Sequence, residues 1–128
     1  MTVRSTEHFN PVTDRFLRCT CGCGQGQISI ATFILLETVR MHFDAPVTVV
    51  SGPRCVKHNK KEGGAKNSEH IARDDEDTDA VDIRVKGFTP QEVYLYLKNL
   101  PYANLLGIGK YKTFTHVDTR GYAARWQG

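Results

Sequence analysis

Residues 80–85 read Ala80-Val81-Asp82-Ile83-Arg84-Val85. Val81, Ile83 and Val85 fall on one side and Asp82 and Arg84 on the other, the period of two that marks a strand with one apolar face. Downstream, FTPQEVYLYLKNL (88–100) switches to a helical period, with Val93, Tyr96, Leu97 and Leu100 on the inner face. Thr89 is placed to cap it, Pro90 takes the first helical position and Glu92 completes a capping box. LLGIGKYKTFTHVDTRG (105–121) reads as two strands with a turn near Lys112. Upstream, ISIATFILLETVRMHF (28–43) is predicted to be a helix capped by Ser29, with an apolar stripe of Ala31, Ile34, Leu35 and Val39, ended by Asp44, Ala45 and Pro46. PVTVVSG is a strand closed by Gly52 and Pro53. Residues 53–67 are a polar connector with room for a short helix stopped at Gly63 and Gly64, and residues 1–27 an irregular N-terminal wrap. The pattern is an α+β domain, a small antiparallel sheet flanked by helices, in one unit over residues 1–128.

The net charge of +3 conceals two unlike parts. Asp74, Asp75, Glu76, Asp77 and Asp79 hold five of the 14 acids, leaving nine against 17 Lys and Arg, a balance of +8 elsewhere. An apolar content of 40% suits a soluble chain with a modest core. No apolar run approaches the ~20 residues of a membrane span, and MTVRSTEHFNPV lacks the apolar core of a signal peptide. Cytoplasmic synthesis is therefore expected. The basic excess comes without a basic helix, a helix-turn-helix or an aromatic-basic ribonucleoprotein motif, so nucleic acid is not an expected partner. Cys19, Cys21, Cys23 and Cys55 leave three states open: reduced thiols, a disulfide to Cys55, or a four-thiolate zinc.

The chain has no H-E-x-x-H, no G-x-S-x-G, no P-loop and no dinucleotide fingerprint. Polar residues in unusual places remain: His70 in NSEHIA, Asp82 inside an apolar strand, and His116 with Asp118 two residues apart and so on one strand face. Two imidazoles and one carboxylate suit a catalytic zinc, which keeps a fourth position for water. The competing reading is a solvent-facing Asp82 with surface histidines.

SGPRCVKHNKKEGGAKNSEH (51–70), then AVDI, then GIGKYKTFTHVDTR and ARW, taken in that order, resemble the D-alanyl-D-alanine carboxypeptidase-like zinc peptidases, above all the small phage endolysin type. That family shares its fold with lysostaphin-type peptidases and the hedgehog signalling domain. The resemblance implies zinc ligands at His70, Asp82 and His116, an arginine that binds or polarises the substrate at Arg54, and a substrate-holding serine at Ser68. An arginine fork independently suits a carboxylate or a developing oxyanion.

The sequence departs from the family pattern in two places. The motif S-x-H-x-x-G-x-A-x-D has seven steps from histidine to aspartate, whereas His70 to Asp82 is twelve, and the place of the motif glycine falls on Arg73 or Thr78. The insertion is the acidic segment, readable as a solvated loop or as a site for a hard cation. The catalytic glutamate many relatives place three residues before the last histidine is here Thr113, and the alternative histidine is Phe114. Asp118 is then the leading general base, with orientation of a ligand histidine as its other role and Glu69 as a weaker candidate. The resemblance implies a zinc-dependent carboxypeptidase or endopeptidase acting on peptidoglycan stem peptides at the cell wall after phage-type release or virion delivery, as a monomer without nucleic-acid or membrane partners. The alternative is a non-catalytic, zinc-containing wall-binding or phage structural module of the same fold.

Overall fold

The computed structural model describes residues 6–9, 17, 28–52, 54–55, 71–72 and 79–128, with the backbone alone at 54–55 and 71–72. The elements are α1 (Ile30–Phe43), β1 (Val47–Ser51), β2 (Arg54–Cys55), β3 (Ile71–Ala72), β4 (Ala80–Val85), α2 (Pro90–Lys98), a 3-10 turn (Ala103–Leu105), β5 (Gly107–Lys110), β6 (Thr115–Asp118) and β7 (Ala124–Gln127). Five strands form one sheet in the order β1-β4-β6-β5-β7, and β2 and β3 form a separate parallel pair. The expected α+β architecture is present.

The sheet is mixed rather than wholly antiparallel, because β7 pairs parallel to β5. After β6 the chain turns through Gly121, at φ 93°, and residues 119–123 carry it around the start of β5. β7 therefore runs back against the direction of β6 with β5 between them. The alternating code of ARWQ was too short to announce this strand, and its half-buried pattern reflects an edge position.

The period of two in β4 decides how the sheet is used. Val81, Ile83 and Val85 join Val49, Ile108 and Val117 in one core with Phe33, Leu35, Leu36 and Val39 of α1 and Val93 and Leu97 of α2. Both helices thus cover the same face. Phe9 and Leu17 also belong to this core, so the N-terminal segment contributes apolar packing. His42 of α1 stacks on Tyr96 of α2 at 3.8 Å between ring centres, which joins the helices directly.

The inner stripe of α1 differs from the expected one. Thr32, Phe33, Leu35, Leu36 and Val39 point inward, whereas Ala31 is exposed and Ile34 is 59% exposed. Thr32 sets the rotation: its hydroxyl donates to the Asp79 carbonyl at 2.9 Å and meets the Thr119 hydroxyl at 3.0 Å. Those bonds tie α1 to the strand entry and exit beside the polar residues of the sheet. Ser29 caps the helix as expected, and Asp44 ends it in the left-handed region.

The start of α2 matches the sequence reading. The Glu92 amide donates to the Thr89 hydroxyl at 3.2 Å, and the Thr89 amide donates to the Glu92 carboxylate at 3.1 Å. A Thr89→Ala protein should lose about 1 kcal/mol in urea denaturation. A loss below a few tenths would mean that packing alone holds the helix end.

Candidate metal centre

The face of the sheet opposite the helices carries the polar residues. Asp82 on β4 lies directly across from His116 on β6, which lies across from Gly109 on β5, which lies across from Trp126 on β7. The next row outward is Ala80, Asp118, Gly107 and Ala124. Strand register alone therefore brings Asp82, His116 and Asp118 together, though Asp82 and His116 stand 34 residues apart in sequence.

These side chains are buried: Asp82 and His116 are each 6% exposed and Asp118 is fully covered. His116 lies between the two carboxylates, with Nδ1 3.0 Å from Asp82 Oδ1 and Nε2 2.7 Å from Asp118 Oδ2. Burial by itself would lower the imidazole pKa, but the hydrogen bonds and charges of Asp118 and Asp82 outweigh it and raise it. A raised pKa favours the doubly protonated ring, which donates to both carboxylates.

Asp118 is held from its other side by Arg120. The guanidinium donates Nε–H to Oδ1 and an η-nitrogen hydrogen to Oδ2, each at 2.7 Å, and the Arg120 amide adds a bond to Oδ1 at 3.2 Å. Burial would raise this carboxyl's pKa, but Arg120 and His116 prevail and hold it far below the usual carboxylate range. Both oxygens are occupied and the anion is favoured.

Trp126 closes the β7 side. Its indole lies 4.9 Å from the His116 ring and 5.2 Å from the Arg120 guanidinium, and its Nε1–H donates to the Tyr111 hydroxyl at 2.8 Å. Two glycines make room for these groups. A Cβ on Gly109 would strike Trp126 Nε1 and Cε2, and one on Gly107 would meet the Asp118 carboxylate oxygens at 2.6 Å and collide with Arg120 Nε. The G-I-G of β5 therefore keeps its inner residue, Ile108, in the core and leaves no side chain beneath the polar row.

A Gly109→Ala protein should lose about 1–3 kcal/mol through overpacking. It should also shift the emission of Trp126, the single tryptophan of the chain, so denaturation and fluorescence together test the contact. Unchanged emission would show that the indole does not rest on Gly109.

Asp82, His116 and Asp118 are thus brought together, while Ser68, His70 and the acidic residues 74–77 lie outside the described residues. So do Glu69, Cys19, Cys21 and Cys23. Arg54 is placed by its backbone only, paired with Ile71, the residue that follows His70 in the chain. Among the described residues no three His, Cys, Asp or Glu groups form a cluster arranged to hold a metal ion. Asp82 and the Nδ1 of His116 nonetheless fit as two donors of such a set: an anionic oxygen and an imidazole nitrogen converge from neighbouring strands, and the second ring nitrogen is already fixed by a carboxylate. The sequence reading missed Arg120 and the role of Trp126. The signal for Arg120 was present, since positions 116, 118 and 120 continue one strand face.

The family model described as Peptidase M15 matches residues 7–118, which include the whole polar row except Trp126. The chain belongs to the Peptidase M15 family. These are the D-Ala-D-Ala carboxypeptidase-like peptidases, so membership supports a peptidase. No curated protein matches the chain. M15 peptidases are generally zinc-dependent, in keeping with the carboxylate and imidazole set side by side on the face opposite the helices.

Proposed function

We propose that the chain is a zinc-dependent peptidase that hydrolyses an amide bond in the stem peptides of bacterial peptidoglycan, acting at the cell wall. The observation that carries this reading is the direct pairing of Asp82 with His116, two donors 3.0 Å apart and nearly fully buried, in an M15 peptidase chain. Asp82 and His116, with His70, would hold the metal. Zinc, when bound, supplies a Lewis acid for the scissile carbonyl and lowers the pKa of a water toward neutrality.

The remaining roles belong to this chain's own groups. The His116 ring would give up the proton that it shares with Asp82 when Nδ1 binds metal. Asp118, which accepts Nε2–H, would then hold the ring in the tautomer that presents Nδ1 and increase its basicity. Arg120 holds Asp118 in place and keeps it ionised. Asp118 is accordingly read as an orienting carboxylate, and the role of general base passes from it. Trp126 walls the site on the β7 side. Arg54 and Ser68 hold the substrate, Arg54 as a fork for a carboxylate or oxyanion. The basic body of the chain would favour encounter with an anionic wall polymer at low salt.

The test is zinc content together with cleavage. The parent should bind one zinc, with a change in Trp126 emission, and release stem-peptide fragments from purified peptidoglycan. His116→Ala should lose both by orders of magnitude. Thr113 in the place of a glutamate favours a second reading, a non-catalytic wall-binding module of the same fold. Zinc uptake without any cleavage would decide for that module.

A further inference from the structure

A cavity of about 360 Å³ opens at the end of the sheet, two residues along β4 from Asp82. Pro46, Thr48, Arg84, Lys86, Phe88 and Thr113 are among its lining residues. Arg84 shares the Asp82 face of the strand, with Thr48 across from it in register. The Arg84 Nε–H donates to the Thr113 carbonyl at 2.9 Å, which anchors the guanidinium to another lining residue of the cavity. No acidic residue lines the cavity, and among the described residues no carboxylate pairs with Arg84 or Lys86. Two cations, three threonines and the Phe88 ring therefore meet at the end of the sheet in one concave space that Ile83, Val85 and Val93 line from the helix-covered side.

From this placement we infer that the cavity is a binding subsite for a carboxylate-bearing residue of the substrate peptide, recognised by Arg84 and Lys86. The inference rests on the peptidase reading and adds a specificity element to it. Two residues of strand span roughly 7 Å, so the subsite stands about two residues of extended peptide from Asp82. A carboxylate one or two positions from the scissile amide would reach it. An arginine anchored through Nε keeps its η-nitrogens for a carboxylate, and Lys86 adds a second donor without fixed geometry.

The experiment uses two synthetic stem peptides that differ only at the α-carboxylate of their γ-linked glutamate, free in one and amidated in the other. Binding is measured by calorimetry, and KM and kcat by fragment release, with zinc-loaded parent, Arg84→Gln, Lys86→Gln and the double variant. Both side chains are exposed, so the variants should melt with the parent. The parent is expected to bind the acid roughly three- to tenfold more tightly than the amide, with the gain in KM and not in kcat. The double variant should bind the two peptides alike. A preference that survives in the double variant, or its absence in the parent, overturns the subsite while leaving cleavage, and so the peptidase reading, intact. Binding with the expected preference but no cleavage of either peptide would keep the subsite and overturn the peptidase.

Discussion

An Arg120→Ala protein is expected to unfold about 3–5 kcal/mol more readily than the parent in urea, measured metal-free in chelator. The cost comes from what remains. Asp118 is fully covered and shares its two oxygens between Arg120 and His116, so removal of the guanidinium leaves a buried anion with half its partners. Arg120→Lys should recover part of the loss, since an ammonium restores the charge but cannot form the two-point fork. The effect should also depend on pH. The folded-state pKa of Asp118 is depressed, so its contribution is complete above the ordinary carboxylate value near 4 and is lost as pH falls through the lower folded value. The gap between parent and Arg120→Ala should therefore be widest near neutrality and shrink steadily below about pH 4. A gap under about 1 kcal/mol at pH 7, or one that is flat with pH, would show that the fork does little for stability.

Asp118→Asn is expected to weaken zinc binding by about 10–100-fold while cleavage returns at saturating zinc. Asparagine can still accept the Nε2–H of His116 through its amide oxygen, but it loses the charge that makes Nδ1 a better donor to metal. If Asp118 were instead the proton acceptor of the reaction, its loss would remove cleavage at every zinc concentration and leave affinity nearly unchanged. Titration followed by Trp126 emission, 4.9 Å from the His116 ring, separates the two outcomes. Full loss of turnover at saturating zinc would return Asp118 to the role of base.

The strand pattern of AVDIRV carried most of the fold, because alternation fixes a face whatever the neighbours are. Asp82 was readable as a polar residue on that face, and His116 with Asp118 as a pair on another strand. That Asp82 and His116 sit directly across from each other was not readable, since register between strands 34 residues apart depends on turns and core packing. Arg120 shares the face of His116 and Asp118 by spacing, but it lies past the end of β6, and alternation alone does not announce that its guanidinium folds back onto Asp118 two residues away. In α1 the apolar spacing suggested Ala31 and Ile34 as inner residues, but two hydroxyl bonds of Thr32 rotated the helix away from that stripe. β7 escaped notice because its four residues alternate half-buried and exposed at a sheet edge.

The most direct test is mass spectrometry of purified peptidoglycan digested with zinc-loaded protein, beside a chelated control and His116→Ala. The expected result is a set of shortened or released stem peptides that appears only with zinc and only in the parent. Intact stem peptides in every arm, with zinc bound to the parent, would contradict the peptidase reading.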